Sequence, residues 1–188
     1  MKTKRLLALI ISTAMLIGML PSHFVFAEGE AAQIGSAKYS TLAEAFDAAQ
    51  DMTEWNGQPV SRENPVEIDL IDDTELSDTI LPTDRISGAN TEVTYHVRLD
   101  GNNHTVKRAE GFQDAMIHVA QSSTLYLENI TLDGAVEGNA DDSILYIGRT
   151  GMNQSTRPQK THDNYVVLGS GAVLQNNHST NQGSAVQV

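Results

Sequence analysis

The chain has 188 residues, with 24 Asp and Glu against 12 Lys and Arg, and its formal net charge is −12. Such a surface repels nucleic-acid phosphates and anionic lipid headgroups, so neither is an expected partner. The absence of cysteine excludes a disulfide scaffold, and an ordinary core or stacked repeats must therefore hold the fold together.

The first residues have the pattern of a secretory signal peptide. Three basic residues precede the uncharged, apolar run 6–20. This run is shorter than the roughly 20 residues that a membrane-spanning helix needs, and small residues ending at Ala27 are typical of a cleavage site. We expect a signal peptide over 1–27 and a secreted or cell-wall-associated mature chain that is not held in the membrane. Loss of the three basic residues makes the formal charge of that mature chain −15.

The next segment, 28–60, is predicted to contain one short helix at about 42–50. Thr41 and Glu44 have the spacing of a capping box, in which each side chain satisfies a free backbone N–H of the other residue. The apolar residues fall on one face of the helix: Leu42, Phe46 and Ala49. Because so short a helix is not stable alone in water, it must lie on another part of the fold.

Short strands are predicted over the remaining segment, 61–188. Residues 65–71 alternate apolar with acidic side chains, which is typical of a strand with one buried face. Beyond Val93 no helical period is found, and Gly, Asn, Asp and Ser separate short alternating runs, as turns require. These runs are 95–99, 116–119, 125–127, 130–132, 144–147, 165–168, 173–174 and 185–188.

Similar phrases recur along this segment and predict a repeat. We align Leu99-Asp100-Gly101 with Leu132-Asp133-Gly134 and Leu174-Gln175-Asn176, which gives separations of 33 and 42 residues. The runs that begin at Ile117, Leu145 and Val186 are 28 and 41 residues apart. We therefore predict a coil of fewer than thirty residues with inserted loops, the largest at 149–163. Repeats of this length, made of strands, indicate a β-solenoid.

The alternation also predicts which side chains face the core. Ile117 and Val119 are expected to point inward, so that His118, Tyr146 and Gln187 form an outward ladder. The Asp100-Gly101 and Asp133-Gly134 pairs are expected at one corner, where glycine would supply a positive φ.

At this point the sequence resembles the right-handed parallel β-helix family, in the pectate-lyase-like form of exported and wall-associated proteins of Gram-positive bacteria. The phrases that carry the resemblance are IGSAKYSTLAEAFDAAQ, VEIDLIDDTELSDTI, HVRLDGNNHTV, STLYLENITLDG and GSGAVLQNN. The resemblance implies a mostly β fold, a right-handed parallel β-helix of a few coils, with the short helix capping its N-terminal end. Since 185–188 stops in mid-strand, we expect an open C-terminal end that further coils of a longer chain would cover.

The resemblance also raises the question of catalysis. Enzymes of this fold cleave polysaccharides with clustered carboxylates, and Asp141 and Asp142 are the best local candidates. They lie, however, in the loop GNADD, where acidic residues are common without a function, and fold alone does not establish activity. Asp100 and Asp133, stacked at one corner, could hold a structural calcium ion, but no calcium-binding repeat accompanies them. We assign no catalytic residue, no metal and no cofactor.

Ligand binding is the role that we predict for the outward face. Tyr126 and Tyr146 are outward aromatic residues that could stack on sugars, and His118 belongs to the same predicted ladder. The expected role is adhesion or recognition, with a polysaccharide or a host or cell-wall surface ligand as the partner. One alternative is the N-terminal part of a pectate-lyase-like lyase or glycoside hydrolase whose active site lies beyond Val188. Another is a spacer without a ligand.

Overall fold

A computed structural model describes residues 29–80, 94–138, 140–148, 163–179 and 185–188. The predicted signal peptide, 1–27, lies outside the described residues, as does the predicted insertion except for Asp163. In chain order the elements are β1 (Ala32–Ile34), β2 (Ala37–Tyr39), α1 (Leu42–Gln50), β3 (Glu54–Trp55), β4 (Gln58–Pro59), β5 (Val66–Leu70), β6 (Thr74–Leu76), β7 (His96–Asp100), β8 (Thr105–Arg108), β9 (Ile117–Val119), β10 (Thr124–Glu128), β11 (Thr131–Asp133), β12 (Leu145–Ile147), β13 (Tyr165–Leu168), β14 (Val173–Gln175) and β15 (Val186–Gln187). The expected mostly β fold with a short N-terminal helix is confirmed.

Three sheets with mainly parallel strands form the body of the fold. The six-stranded sheet has the order β13-β10-β7-β5-β1-β2, the four-stranded sheet β14-β11-β8-β6, and the three-stranded sheet β15-β12-β9. Successive strands enter these three sheets in rotation, so that β7, β8 and β9 are followed by β10, β11 and β12 and then by β13, β14 and β15. We call one such passage of the chain a round. Strands β5 and β6, with the bridge of Ile80 to Ile117, belong to the round before β7.

Parallel pairing places like residues of successive rounds side by side. Leu145 pairs with Ile117 and with Val186, as the 28- and 41-residue spacings predict. The alignment of Leu99 with Leu132 is wrong, because Leu99 pairs with Leu127 in the six-stranded sheet and Leu132 belongs to the four-stranded sheet. Both Leu99 and Leu132 are nevertheless fully buried. The two similar phrases mark different corners of the chain, at the ends of β7 and β11, and do not repeat one corner.

The inward side chains of all three sheets form one apolar core. In the six-stranded sheet Ile68, Leu99 and Leu127 lie in one row and are fully buried. Leu125, Leu132 and Leu145 occupy the corresponding inward positions of one round in the three sheets, and none of them is exposed to solvent. Burial of a leucine side chain contributes roughly 1.5–3 kcal/mol, so these rows are the main source of stability.

Helix α1 packs on the first strands of the core. Its N-terminus has the predicted capping box, in which the Thr41 side chain accepts from the Glu44 N–H and the Glu44 carboxylate accepts from the Thr41 N–H. Leu42, Phe46 and Ala49 are buried, as predicted. The ring of Phe46 meets that of Tyr95 edge to face at 5.7 Å, and the helix contacts strands β1, β2, β5, β6 and β7. Packing therefore stabilises a helix too short to persist alone.

Two short hairpins accompany the helix in the N-terminal segment. Strand β2 pairs antiparallel with β1, and β4 pairs antiparallel with β3. The second hairpin runs from Glu54 to Pro59, with Asn56 and Gly57 both at positive φ in its two-residue turn. An Asn-Gly pair is the preferred sequence for such a turn, because its backbone twist matches that of the flanking strands.

The glycines at the corners permit close approach of the chain, and they do not supply the predicted positive φ. A Cβ atom on Gly101 would lie 2.5 Å from the Ile130 Cβ and 2.6 Å from the Asn129 carbonyl oxygen. Several asparagines at the turns have a positive φ instead: Asn102, Asn103, Asn129 and Asn176. Asparagine tolerates this conformation better than other residues with a side chain. Other turns between the strands have Gln121, Ser122 or Gly171 at positive φ.

We predict that Gly101→Ala is strongly destabilising. The added methyl group would overlap backbone atoms of the next round, and overpacking against atoms that cannot move away should cost roughly 3 kcal/mol or more. Gly111→Ala is the matched control, because Gly111 has a positive φ of 79° but nothing within 4 Å of the added Cβ. Its cost should be only the backbone term of about 1–2 kcal/mol. The free energy of unfolding of both variants in urea checks the order, and equal losses would contradict the close-approach explanation.

Candidate functional site

The structure divides the three residues predicted to bind a ligand between two faces. Tyr126 lies on β10 in the six-stranded sheet, whereas His118 and Tyr146 lie on β9 and β12 in the three-stranded sheet. His118 and Tyr146 are paired in register, as predicted for the ladder. Their side chains share one face, and Tyr126 belongs to another.

His118 is buried, so its predicted position facing solvent is wrong. Its side chain is only 6% exposed, because the ring of Tyr146 lies against it with a centroid separation of 4.6 Å. The Nε2 atom of His118 is 3.0 Å from the Gly148 carbonyl oxygen, to which a protonated Nε2 donates. Burial lowers the pKa of His118 below 6.5, while the Gly148 carbonyl and the Asp142 charge oppose this shift. His118 is therefore a structural residue beneath Tyr146.

Tyr126 belongs to a cluster of aromatic and cationic side chains on the outer face of the six-stranded sheet. We call it the Tyr–Arg patch and define it by Arg62, Arg98, Tyr126 and Tyr165. The two tyrosine rings meet edge to face at 6.3 Å. The guanidinium carbon of Arg98 lies 4.9 Å from the centroid of the Tyr126 ring, and that of Arg62 lies 4.7 Å from the Tyr165 ring. Each tyrosine thus has an arginine stacked on it.

Strand register explains the positions of three of the four members of the patch. Arg98 and Tyr126 are direct neighbours across β7 and β10, so both side chains point away from the core. Tyr165 lies on β13 opposite Thr124, two pairs along the strands from the pair of Tyr126 and Val167, and is 44% exposed. Diagonal neighbours on a sheet face lie within reach of aromatic side chains. Tyrosines of two successive rounds therefore form a continuous surface.

Arg62 reaches this face from the segment before β5. Its guanidinium donates to the Asp163 carbonyl oxygen at 3.2 Å, and its own carbonyl oxygen accepts from the Tyr126 hydroxyl at 3.1 Å. Arg98 forms an ion pair with Glu128 at 2.5 Å, whereas Arg62 forms no ion pair with a carboxylate within the described ranges. The guanidinium of Arg62 therefore keeps donors for an anionic or hydroxylated ligand.

A neutral histidine borders the patch. The Nδ1 atom of His96 lies 3.0 Å from the Thr124 hydroxyl, in the row that ends at Tyr165. Burial lowers the pKa of His96, the charge of Arg62 lowers it further, and Glu63 opposes the shift. The border of the patch thus supplies hydrogen bonds without an additional positive charge.

The chemistry of this surface suits sugar binding. Aromatic rings offer flat apolar faces with polar edges, and guanidinium groups donate several hydrogen bonds in a fixed plane. A hexose ring combines an apolar face with hydroxyl groups. The aromatic rings of the patch match the apolar face, and the guanidinium groups match the hydroxyl groups. None of the four residues that define the patch is a carboxylate or a histidine.

The predicted acidic candidates have different environments. Asp142 caps its own loop, because its Oδ1 accepts from the Ser143 N–H at 2.7 Å and from the Ser143 hydroxyl at 3.3 Å. Asp141 is exposed and lines a pocket with a volume of about 490 Å³, together with three other acidic residues: Asp78, Glu110 and Asp114. The two carboxylates are therefore not equivalent, and only Asp141 faces a space that could admit a ligand.

A buried arginine holds this loop. Arg108 is 4% exposed, and its guanidinium donates to backbone carbonyls of Asp114, Asp142 and Ser143. It also donates to the side-chain oxygen of Asn177 at 3.2 Å, so it connects three rounds. Burial lowers the pKa of Arg108, while Asp142 and Asp114 oppose the shift. Carbonyl dipoles within the fold thus compensate the positive charge of Arg108, and the role of Arg108 is structural.

The expected position of Asp100 and Asp133 at one corner is wrong. Asp100 pairs in register with Glu128, whereas Asp133 pairs with Lys107 and Gln175, so the two aspartates lie in different sheets. Each one serves its own turn, with Asp100 accepting from the Asn102 N–H. Within the described ranges no group of three or more histidines or acidic residues could hold a metal ion. The helix that is described there is also not long and apolar enough to cross a membrane.

Sequence reasoning missed three members of the Tyr–Arg patch. Arg98 could have been found, since it precedes Tyr126 by the same 28 residues that separate Ile117 from Leu145. Tyr165 pairs with Thr124 across a longer interval of sequence. Its position beside Tyr126 can therefore be inferred only when the register of the strands is known. No periodic signal points to Arg62, which precedes β5.

No protein-family model, curated protein or solved structure matches this chain. The assignment of a site therefore depends on the geometry of its residues.

We predict that His118 makes stability depend on pH below 6.5. Because its folded-state pKa is below 6.5, the unfolded chain binds a proton first as the pH falls. The contribution of His118 is fully present above pH 6.5 and is lost as the pH falls through the folded-state pKa. The difference in unfolding free energy between the wild type and His118→Gln should therefore be constant at higher pH and shrink on acidification.

Urea unfolding between about pH 8 and about pH 5 measures this difference. Tyr146→Ala is the matched variant, because removal of the covering ring hydrates His118 and should weaken the pH dependence. A difference that stays constant, or grows on acidification, would be incompatible with a buried neutral imidazole.

Proposed function

We propose that this chain is an exported, right-handed parallel β-helix module that binds polysaccharide at a cell surface without cleaving it. The observation that carries the proposal is the Tyr–Arg patch, in which two arginines stack on two neighbouring outward tyrosines. The description of the fold as a right-handed parallel β-helix is part of the proposal. It is supported by the rotation of strands through three sheets and by the aliphatic rows that run from round to round.

The shape of the patch favours an extended ligand. Its members come from successive rounds, and neighbouring strands of a sheet are roughly 4.8 Å apart. A stacked fold repeats its surface at this interval, so an unbranched polymer can contact several rounds at once. A compact small molecule would need an enclosed pocket, and the patch is instead an open face with Tyr165 at its exposed end.

The local charge of this patch also differs from that of the rest of the protein. The chain is strongly acidic, yet two arginines meet at this face and one of them is not neutralised by a carboxylate among the described residues. A local positive surface on an acidic protein favours ligands with hydroxyl or carboxylate groups over nucleic acid, which the remaining surface repels. This balance supports a glycan as the ligand.

Export is the second part of the proposal, and the composition supports it. The basic start, the short apolar run and the small residues before position 28 are features of a secretory signal peptide. A secreted or wall-associated protein would meet polysaccharide outside the cell. The proposed role is adhesion or recognition, which a face of stacked tyrosine and arginine side chains supports.

We predict that Tyr165→Ala weakens polysaccharide binding by roughly tenfold, because one stacking surface is worth about 1 kcal/mol or slightly more. Tyr126→Ala should have a similar or larger effect, since it also releases the backbone of Arg62. Affinity gel electrophoresis against neutral and uronic-acid-containing polysaccharides measures the change. Tyr165→Phe should bind nearly as the wild type, because the ring remains.

Tyr146→Ala is the control for this experiment. It removes a half-buried tyrosine from the three-stranded sheet, away from the patch, and should leave binding unchanged. If Tyr146→Ala reduces binding as much as Tyr165→Ala, the patch is not the binding face. If the wild type binds none of the polysaccharides, the recognition role is wrong and a spacer role takes its place.

A second candidate function rests on the acidic pocket of Asp78, Glu110, Asp114 and Asp141. This pocket favours the alternative of a polysaccharide lyase or glycoside hydrolase, since such enzymes use clustered carboxylates. Our proposal predicts that no new reducing ends and no unsaturated products form when the protein is incubated with the polysaccharides it binds. Product formation that Asp141→Asn abolishes and Asp133→Asn preserves would favour the enzyme.

A further inference from the structure

The turn of the β3–β4 hairpin contains the one Asn-Gly step of the sequence, Asn56-Gly57. Both residues are exposed, and both have a positive φ. The Gly57 N–H has no acceptor among the described residues, and a Cβ atom at Gly57 would meet nothing within 4 Å. The main-chain nitrogen that follows the Asn56 side chain is therefore uncovered and free to move.

An asparagine side chain beside such a nitrogen can react within its own chain. The Gly57 nitrogen forms a bond to the Asn56 Cγ atom while the bond from Cγ to Nδ2 breaks. The amide proton of Gly57 leaves with Nδ2 as ammonia, and the product is a cyclic imide. Water then opens the ring, because its hydroxyl adds to one of the ring carbonyl carbons and its proton returns to the nitrogen. The result is either an aspartate or an isoaspartate, in which the main chain runs through the side-chain carbonyl.

Asparagines in the turns of the rounds also have a positive φ, but the amides that follow them are engaged. After Asn102, the Asn103 N–H donates to the Asn129 carbonyl oxygen at 2.7 Å. After Asn129, the Ile130 N–H donates to the Gly171 carbonyl oxygen at 3.2 Å. Each of these nitrogens must lose a hydrogen bond between rounds before it can attack the side chain that precedes it. Stacking of the rounds thus protects these asparagines.

The two Asp-Gly steps show that glycine alone does not make a reactive site. The Gly101 N–H donates to the Glu128 carbonyl oxygen at 2.8 Å, and the Gly134 N–H donates to the Gln175 carbonyl oxygen at 2.9 Å. Both glycines are buried. The step at Asn56 differs because its glycine lies outside the ladders of the three large sheets and faces solvent.

We propose that Asn56 is a self-modifying site of the folded protein, at which the Gly57 nitrogen and water convert the side-chain amide to a carboxylate. The aspartate product adds a negative charge but suits the turn, since Asp-Gly is also a preferred sequence for a two-residue hairpin. The isoaspartate product adds a carbon atom to the main chain within the turn. Because loop length fixes the turn type and the register of a hairpin, this product should loosen the pairing of β3 with β4.

The hairpin supports the segment that carries Arg62. The side-chain amide of Asn64 donates to three carbonyl oxygens of the hairpin, that of Trp55 at 2.9 Å and those of Gln58 and Pro59 at 3.2 Å. A loosened hairpin would therefore withdraw support from Arg62, two residues before Asn64, and so from the Tyr–Arg patch. The expected loss of polysaccharide binding rests on the proposed function, whereas the modification itself does not.

Peptide mapping by mass spectrometry tests the modification on the full folded chain, aged at mildly basic pH. Asn56 should change to the mass of an acid several-fold faster than Asn102 or Asn129. Gly57→Ala should slow the change several-fold, because a side chain hinders the approach of the nitrogen. Isoaspartate should form at Asp100, which precedes Gly101, only after the chain is unfolded in guanidinium chloride. If Asn56 keeps its amide in the folded chain, or if Asn102 or Asn129 reacts first, the proposal is overturned.

Trp55 gives a second readout that needs no ligand. It is the one tryptophan of the chain and packs partly buried against the core beside the turn. Its fluorescence emission should shift to longer wavelength as isoaspartate accumulates, and Asn56→Asp, the matched control, should keep the wild-type emission. Modification with unchanged emission would overturn the effect on the hairpin. Modification and shifted emission in a chain that binds no polysaccharide, even when fresh, would support this inference and contradict the proposed function alone.

Discussion

The fold depends on keeping inward side chains of successive rounds in register. Parallel backbone ladders fix the distance between rounds, and the alternation of the strands then decides which side chains meet in the core. In the six-stranded sheet one such row runs from Ile68 through Leu99 and Leu127 to Leu168. A slip of one residue would move a whole row to the solvent side, so the core strongly favours one register. Among the described residues Leu168 has a paired neighbour in this row on one side, Leu127, and it is 49% exposed, whereas Leu99 and Leu127 have one on both sides and are buried.

Corners limit how closely these layers can approach. A round must change direction between sheets without leaving buried backbone groups unpaired. Here asparagines, glycines, Gln121 and Ser122 make turns at positive φ, while Gly101 makes room for the adjacent round. Where a loop has no ladder partner, Arg108 replaces the missing donors by binding carbonyls of two rounds and the Asn177 side chain of a third. Such a buried cation is stable only while its acceptors stay in place, so the arginine couples loops that lie far apart in sequence.

Part of this structure follows from local sequence and part does not. The capping box at Thr41 and Glu44 and the pairing of Ile117 with Leu145 were predictable, because each depends on a short pattern or a constant interval. The assignment of Leu99 and Leu132 to one corner was wrong for a physical reason. An aliphatic residue followed by Asp-Gly marks a change of direction of the chain, and every round has several changes of direction. Burial of His118 was not predictable from alternation, since the ring that covers it belongs to the next round. The Tyr–Arg patch required Arg62 and Tyr165 together, which only the folded chain brings into contact.

The separation of core and surface explains where a function can reside in such a fold. Inward positions are constrained by the rows, so their side chains are nearly all aliphatic and carry little chemistry. Outward positions of the same strands have no such constraint, and residues of different rounds meet there at a fixed spacing. A site built in this way is elongated along the stack and open to solvent, which suits a repeating polymer better than a small substrate. The stacking of Arg62 on Tyr165 also limits the conformations of both side chains before any ligand arrives, and preorganisation of this kind lowers the entropy cost of binding. The proposed recognition face, the Tyr–Arg patch, therefore lies on the outer side of the six-stranded sheet.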